Sequence, residues 1–297
     1  MANVSLRGRA AVVTGGGRGL GRAIALHLAR HGASIALCSR TRSELDDTAA
    51  AIRAETGVDV IAEAVDVTDV DAVHELATRV RALHDPMRIL VNCAGVLGPV
   101  GRIDTVDLEE WHHALDVNLF GVVTACATFA PVLAESGGGS IVNLSGGGLG
   151  GPGIQSHISA YTGAKAAVAV LTETLARELA PLGIRVNAVA PGAVPTDLMR
   201  PVLDAGPERA GEALYETARR IYEEPSDNAV LGDDFAALLD FLVSGESTAI
   251  TGRLLSARWE SPDRLHSDAE MIRSGSRYTL RRIDEALFRE AEPGSTP

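Results

Sequence analysis

The sequence predicts an α/β fold, a single domain built on a doubly wound parallel sheet with helices on both faces. Three observations predict it. Short apolar runs alternate with helical stretches from about residue 10 to residue 255. The first run enters a glycine cluster, Thr14-Gly-Gly-Gly-Arg-Gly-Leu-Gly21, that opens directly into a helix. Asp66 and Asn92 fall at the carboxyl ends of predicted strands, where open sheets of this kind bind ligands.

The elements follow in order. Ala10–Val13 is the first strand, and residues 22–32 continue the helix opened by the glycines, with Leu20, Ile24 and Leu28 recurring every four positions. Ala33–Cys38 is a second strand ending at Ser39-Arg40, and residues 43–56 form a helix that Gly57 stops. Val58–Val65 is the third strand. Thr68 and Asp71 stand near capping-box spacing before the stripe Val73, Leu76, Val80, Leu83. Strand four, Arg88–Asn92, leads to a long helix over 107–134 and strand five, Ser140–Ser145. The next helix carries a core stripe of Ala164, Val168, Leu171, Leu175 and Leu179, with Tyr161 and Lys165 one turn apart on a neighbouring face. Strand six is Ile184–Val189. After it, residues 194–228 show weak periodicity and an acidic helix-like piece around Glu208–Glu224, the marks of a lid over a ligand crevice. A helix over 233–243 and a strand over 250–255 close the domain, assigned to residues 1–255, and 256–297 is a C-terminal extension.

Composition limits the function. The net charge of −12, from 39 acidic and 27 basic residues, argues against a nucleic-acid or anionic-membrane binder. Cys38, Cys93 and Cys126 are widely spaced and show no metal-ligand pattern, so buried thiols in a reducing compartment and no zinc site are expected. No signal-peptide pattern is visible, and no apolar run is expected to approach membrane-spanning length. A cytoplasmic enzyme without metal is the expectation.

Chemistry begins at the glycine turn. Glycines permit positive φ and close approach of the main chain, and the free N–H groups of the following helix attract an anion, so a dinucleotide pyrophosphate is the implied ligand. Six motifs occur in order: the glycine turn, Asp66, Asn92-Cys-Ala-Gly95, Asn118, Tyr161-Thr-Gly-Ala-Lys165, and Pro191-Gly192 followed by Thr196. Together they resemble the short-chain dehydrogenase/reductase family of the compact type, over about Leu6 to Leu255, with its Rossmann fold. The GxxxGxG spacing differs from the GxxGxxG usual in relatives that act on nucleotide sugars.

The resemblance implies a role for each motif. Gly15, Gly17, Arg18, Gly19, Leu20 and Gly21 hold the pyrophosphate; Asp66 and Val67 meet the adenine; Asn92, Ala94 and Gly95 form the edge along strand four; Pro191, Gly192, Val194 and Thr196 follow strand six. Tyr161 is the implied general acid or base. Bringing its pKa from near 10 to roughly 7 requires about 4 kcal/mol of preferential phenolate stabilisation, and Lys165 supplies positive charge for this while reaching the nicotinamide ribose. Asn118 is implied to hold a water that relays protons from Lys165; a helix kink or a buried polar contact is the competing explanation. Asp66 has a competing explanation too, as a turn cap.

Relatives that use NAD place an acidic residue at the end of strand two. Here Ser39-Arg40 stands there, and Arg18 with Arg40 would suit a 2′-phosphate, so NADP(H) is expected in preference to NAD(H). The family's catalytic serine aligns with Gly146. Ser145 is the preferred replacement; Ser156 or Ser159, or an anion nest of Gly146–Gly148 N–H groups, are alternatives. The expected activity is hydride transfer between nicotinamide and a secondary alcohol or ketone of a small-molecule substrate. A cofactor-retaining epimerase and a catalytically impaired dinucleotide-binding scaffold are the alternatives. The acidic lid favours a polar or cationic substrate. A homodimer or homotetramer is expected, and the tail either packs near a neighbouring subunit's site or covers its own sheet edge.

Overall fold

The computed structural model describes residues 4–83, 85–146, 148–149, 154–192, 194–223, 230–245, 247 and 249–281. Seven strands form one parallel sheet: β1 (Ala10–Thr14), β2 (Ser34–Ser39), β3 (Val60–Ala64), β4 (Met87–Asn92), β5 (Gly139–Leu144), β6 (Ile184–Ala190) and β7 (Leu254–Ser256). Their order is β3-β2-β1-β4-β5-β6-β7, so the winding direction reverses between β1 and β4 and opens a crevice at the carboxyl ends there.

The helices are α1 (Gly19–Arg30), α2 (Arg42–Thr56), α3 (Val70–Arg81), α4 (Leu108–Leu115), α5 (Gly121–Glu135), α6 (Ser159–Leu179), α7 (Arg200–Ala210), α8 (Glu212–Glu223), α9 (Asp233–Ser244), α10 (Pro262–Ser267) and α11 (Ala269–Ser274). Successive strand residues feed opposite faces. Val13 and Val91 pack with Ile24 and Leu28 of α1, Ile52 of α2 and Leu242 of α9. Val12 and Leu90 pack with Leu76 of α3, Phe129 of α5 and Val168 of α6. With both faces covered, central strands read as continuous apolar runs.

Several expectations change in detail. The cap of α3 is Asp69, whose carboxylate accepts from Ala72 N–H at 3.0 Å, while the Asp66 carboxylate turns back on Thr68. The long helix is Leu108–Glu135, interrupted by a π-helical turn over Asp116–Phe120. This stretch is long and apolar enough to cross a membrane, contrary to the reading of its apolar runs; it is mostly buried, and its composition is that of a core helix lying against the sheet. On α6 the fully buried line is Ala164, Val168, Thr172 and Ala176, with Leu171, Leu175 and Leu179 half-buried beside it. The last strand is only Leu254–Ser256, and before it Ile250 N–H donates to Ser247 O at 2.8 Å.

The lid region is helical: after a short turn at Asp197–Met199 come α7, broken at Gly206 (φ 71°), and α8. A small separate core of Val202, Ala210, Leu214 and Ala218 seats these helices on Leu97, Val100 and Ile158. Residues 224–228 of the expected lid lie outside the described residues. Beyond β7 the described tail folds onto its own chain. Ala257, Leu265 and Ile272 join the core that holds α1 and α9, and the Arg253 guanidinium donates to the carbonyls of Ile272, Gly275 and Arg277. The tail reading that involves a neighbouring subunit now concerns residues 282–297, which lie outside the described residues.

Candidate active site

A cavity of about 560 Å³ occupies the crevice at the carboxyl ends of the strands. One end is made by the glycine turn. Gly15 and Gly19 have φ of 68° and 53°, and a Cβ on Gly21 would stand 2.1 Å from Gly15 O, so the turn closes only without side chains. No side chain caps the amino end of α1, which leaves its N–H groups to the cavity. Gly15, Arg18, Gly19, Leu20 and Gly21 reach the cavity wall, whereas Gly17 lies behind it, packed against Ser39 and Glu44.

Along β2 and β3 the wall continues through Ser39, Arg40, Asp66 and Val67. The Ser39 hydroxyl is buried with no hydrogen-bond partner among the described residues. Burial pulls the Asp66 carboxyl upward, but bonds from Thr68 N–H (3.0 Å) and hydroxyl (2.8 Å), with Arg40 and His113 nearby, hold it below the usual carboxylate range. Asp66 is thus a turn cap and a wall residue together. Arg40 is exposed and forms no salt bridge among the described residues. Arg18 is engaged: its Nη1 donates to Asp197 of the lid at 3.1 Å, and its Nε lies 3.7 Å from Glu44. Glu44 is a carboxylate beside the crevice that reading the end of strand two misses, because it enters from the first turn of α2.

In the middle, Ala94 and Gly95 reach the wall and Asn92 does not. The Asn92 amide donates to Asn143 Oδ1 (2.8 Å), and Asn143 donates to the Thr172 hydroxyl (2.9 Å), a buried polar chain tying β4 to β5 and α6. Asn118 is fully buried in the π-turn. Its Nδ2 donates to Val96 O (2.7 Å) and Ala114 O (2.8 Å), and its Oδ1 accepts from Val96 N–H (3.2 Å). The buried polar contact is therefore present, set in a π-helical turn. A Cβ on Gly95 would stand 2.9 Å from Asn118 Oδ1, so this glycine is what lets Asn118 close on the loop.

Tyr161 and Lys165 meet at the cavity, with Lys165 Nζ 5.7 Å from the phenol ring centroid. Nζ donates to Leu144 O at 2.8 Å at the end of β5. Burial pushes the Tyr161 phenol up to about 12 and the Lys165 ammonium down to about 8. The phenol lowered toward neutrality that the sequence suggests is thus pushed the other way here, by desolvation and by Cys93 beside it. The cysteines are also protonated thiols, each pushed up to about 12 by burial.

Ser145 lies on the wall and is almost fully buried, with its hydroxyl 3.5 Å from Lys165 O. Gly146 passes so close to the phenol that a Cβ there would stand 2.8 Å from Tyr161 Oη. Ser156 and Ser159 are exposed and off the wall; their hydroxyls pair with His157 Nδ1 (2.8 Å) and Trp111 Nε1 (3.0 Å). Gly148 reaches the cavity, but Gly147 lies outside the described residues.

Pro191, Gly192, Val194 and Thr196 line the wall after β6. The wall is completed by Leu198 and Met199, by Thr217 and Ile221 of α8, and by Arg258 and Trp259 of the tail. Leu198, Met199, Thr217 and Ile221 belong to the segment 194–228 expected to form a lid, whereas nothing in periodicity tells that Arg258 and Trp259 return to the crevice. Of the lid's described acids only Asp197 reaches the wall, where it pairs with Arg18; Glu216 and Glu223 pair with Arg219 in solvent.

A sheet of this order, with a glycine cradle and an uncapped helix end at its switch point and an orphaned hydroxyl at the end of β2, is the arrangement of a dinucleotide-binding α/β enzyme. The short chain dehydrogenase model matches residues 9–206, and the chain belongs to that family. It is 34% identical to 2,3-dihydro-2,3-dihydroxybenzoate dehydrogenase of Bacillus subtilis, covering 83% of this chain and 93% of that one. It is 33% identical to cis-4-hydroxycyclohexanecarboxylate dehydrogenase of Sinomonas cyclohexanicum, covering 84% and 94%. Carveol dehydrogenase from Mycobacterium avium, solved in complex with NAD, has a TM-score of 0.73 at 27% identity, covering 85% and 97%. The chain is an NAD(P)-dependent oxidoreductase acting on alcohol or ketone substrates.

Proposed function

We propose that the protein is an NADP(H)-dependent dehydrogenase or reductase, working through Tyr161, Lys165, Asn118 and Ser145, on a secondary alcohol or ketone carried by a compact ring. The observation that carries this is the convergence of Tyr161 and Lys165 with the glycine cradle on one cavity. When bound, the nicotinamide supplies or accepts the hydride. Gly15 to Gly21 and the α1 amino end hold the pyrophosphate, Asp66 and Val67 border the adenine, and Lys165 reaches the ribose. Tyr161 Oη gives a proton to the carbonyl oxygen in reduction and takes it back in oxidation; a phenol kept protonated by burial suits the reductive direction. Ser145 donates to the same oxygen. Asn118 holds the β4 loop against the π-turn and so keeps Gly95 clear of the lysine.

The choice of NADP(H) rests chiefly on Arg40, exposed at the wall with no salt bridge among the described residues, together with the Ser39 hydroxyl, which has no hydrogen-bond partner among them. Arg18 contributes only by leaving Asp197. Apolar Leu198, Met199 and Ile221 on the wall favour a hydrocarbon framework, and Arg258 favours an acidic substituent on it. Two of the three similar proteins described above are named for ring alcohols bearing a carboxylate. This replaces the cationic substrate that the lid's composition suggests. Free, buried or half-buried cysteines support a reducing cytoplasmic setting, and the exposed Phe120, Val123 and Val170 on the long helices support a homo-oligomer.

The test is steady-state turnover of ring ketones and alcohols with each cofactor. NADPH should be preferred, and Arg40→Ala should lower kcat/KM for NADPH by about 10- to 100-fold while leaving NADH nearly unchanged. Equal or better use of NADH by the wild type would refute the cofactor assignment.

A further inference from the structure

A second cluster of ligand-bearing side chains lies away from the cavity. His27 and His31 sit four residues apart at the carboxyl end of α1, the spacing that puts both rings on one helix face, and Asp240 faces them from α9. His27 Nε2 is 2.7 Å from Asp240 Oδ1, and His31 Nε2 is 3.7 Å from Asp240 Oδ2. The ring centroids are 4.5 Å apart with planes inclined at 53°. One ligand atom from each residue can be chosen so that all lie within 4.8 Å of one another. The three side chains are 13%, 22% and 19% exposed, so the cluster is largely covered and still open to a solvent ligand.

The protons of the cluster supply a second argument. His31 Nδ1 lies 2.9 Å from His27 O, and a carbonyl oxygen only accepts, so Nδ1 carries the proton. In neutral His31 the Nε2 lone pair then faces a carboxylate oxygen. A backbone carbonyl that holds Nδ1–H is also the outer-shell partner that orients a metal-ligating imidazole.

We propose that His27 Nε2, His31 Nε2 and Asp240 bind one divalent transition-metal ion of zinc-like preference, with water as the fourth ligand. Two imidazoles and a carboxylate suit zinc in donor type, and ligand atoms about 2.0–2.2 Å from such an ion stand only slightly farther apart than His27 and Asp240 do here. Small side-chain rotations open the space. The site clamps α1, whose other end forms the glycine cradle, to α9 on the same face of the sheet. None of its residues lines the cavity, so the ion is structural. The cysteine pattern, which suggests no zinc site, does not bear on a histidine and carboxylate set.

The test uses the full chain stripped with a chelator and then titrated with Zn²⁺ or Co²⁺. Calorimetry should show one site, and Zn²⁺ should raise Tm. Co²⁺ should give the visible bands of a tetrahedral nitrogen and oxygen site, a readout that needs no variant. Asp240→Asn and the pair His27→Gln, His31→Gln should each weaken Zn²⁺ binding by about tenfold or more, with reductase activity retained in the variants. Absence of Zn²⁺ binding to the wild type, equal binding by both variants, or a sulfur-to-cobalt charge-transfer band would each overturn the proposal.

Discussion

The two ends of the cavity are built by different means. The dinucleotide end is backbone: a turn that tolerates no Cβ at Gly21, a bare helix end, and strand termini whose neighbours are fully buried. The end proposed to take the substrate is side chain: Leu198 and Met199 from the lid's first turn, Thr217 and Ile221 from α8, Arg258 and Trp259 from the tail. The tail pair is presented by a tight turn in which Trp259 N–H and Glu260 N–H donate to Ser256 O at 3.1 and 3.0 Å, with Arg258 stacked over the indole at 4.8 Å. Backbone determines what must bind, and side chains determine what is selected. Substitutions at the first end or at the reacting centre should therefore abolish turnover, whereas those at the second should redistribute it among substrates.

The largest effect is expected between the ends. Tyr161→Phe should lower kcat by about 10²–10⁴-fold with cofactor affinity unchanged, measured by turnover and by fluorescence titration of NADPH. A substantial loss of NADPH binding in this variant would make the phenol part of the dinucleotide end. Ser145→Ala should cost about 10²–10³ in kcat. A rate near wild type would transfer the oxygen-binding role to the glycine N–H groups beyond β5.

Protonation gives a smaller, graded test. Burial brings Lys165 down to about 8, so its charge is intact below that pH and lost as pH rises through it. Carbonyl reduction should accordingly decline above about pH 8, approaching tenfold per unit where the charge is required. A pH–rate profile flat through this window would show that the cation is dispensable. The smallest effect belongs to the substrate end: Arg258→Ala should raise KM by about tenfold for ring substrates bearing a carboxylate, and little for neutral analogues. An equal change for both would mean that Arg258 serves packing against Trp259 instead of charge recognition.

This division also explains what could be read from residues alone. Glycines at the cradle are demanded by backbone geometry, so they leave a mark at fixed spacing, as does the Tyr161/Lys165 pair on one helix. Asn118 is visible for the opposite reason, as a residue with no local reason to sit in a helix. Glu44, Arg258 and Trp259 left no such mark, since an acid in a helix's first turn and an arginine beside an aromatic are ordinary surface chemistry until the chain's path is known. Asp69 displaced the expected cap because a carboxylate one residue from Thr68 met the Ala72 N–H first, a contest that spacing does not decide. The membrane-length stretch was misjudged because Asp116 and Asn118 interrupt it in sequence but sit in the π-turn, after which an uncharged run continues to Ala134.

That π-turn makes the proposed catalytic centre unusually sensitive to chain length. Asp116–Phe120 holds one residue more than an α-helical turn, and each residue in a helix advances the side-chain direction by about 100°. Deleting a single residue there would let the two helices fuse into one regular rod and swing Asn118 away from Val96 and Gly95. The loop that borders Lys165 would lose both of its amide clasps without any change in the chemical groups of the site, so at this point the chain encodes its active site by counting residues as well as by choosing them.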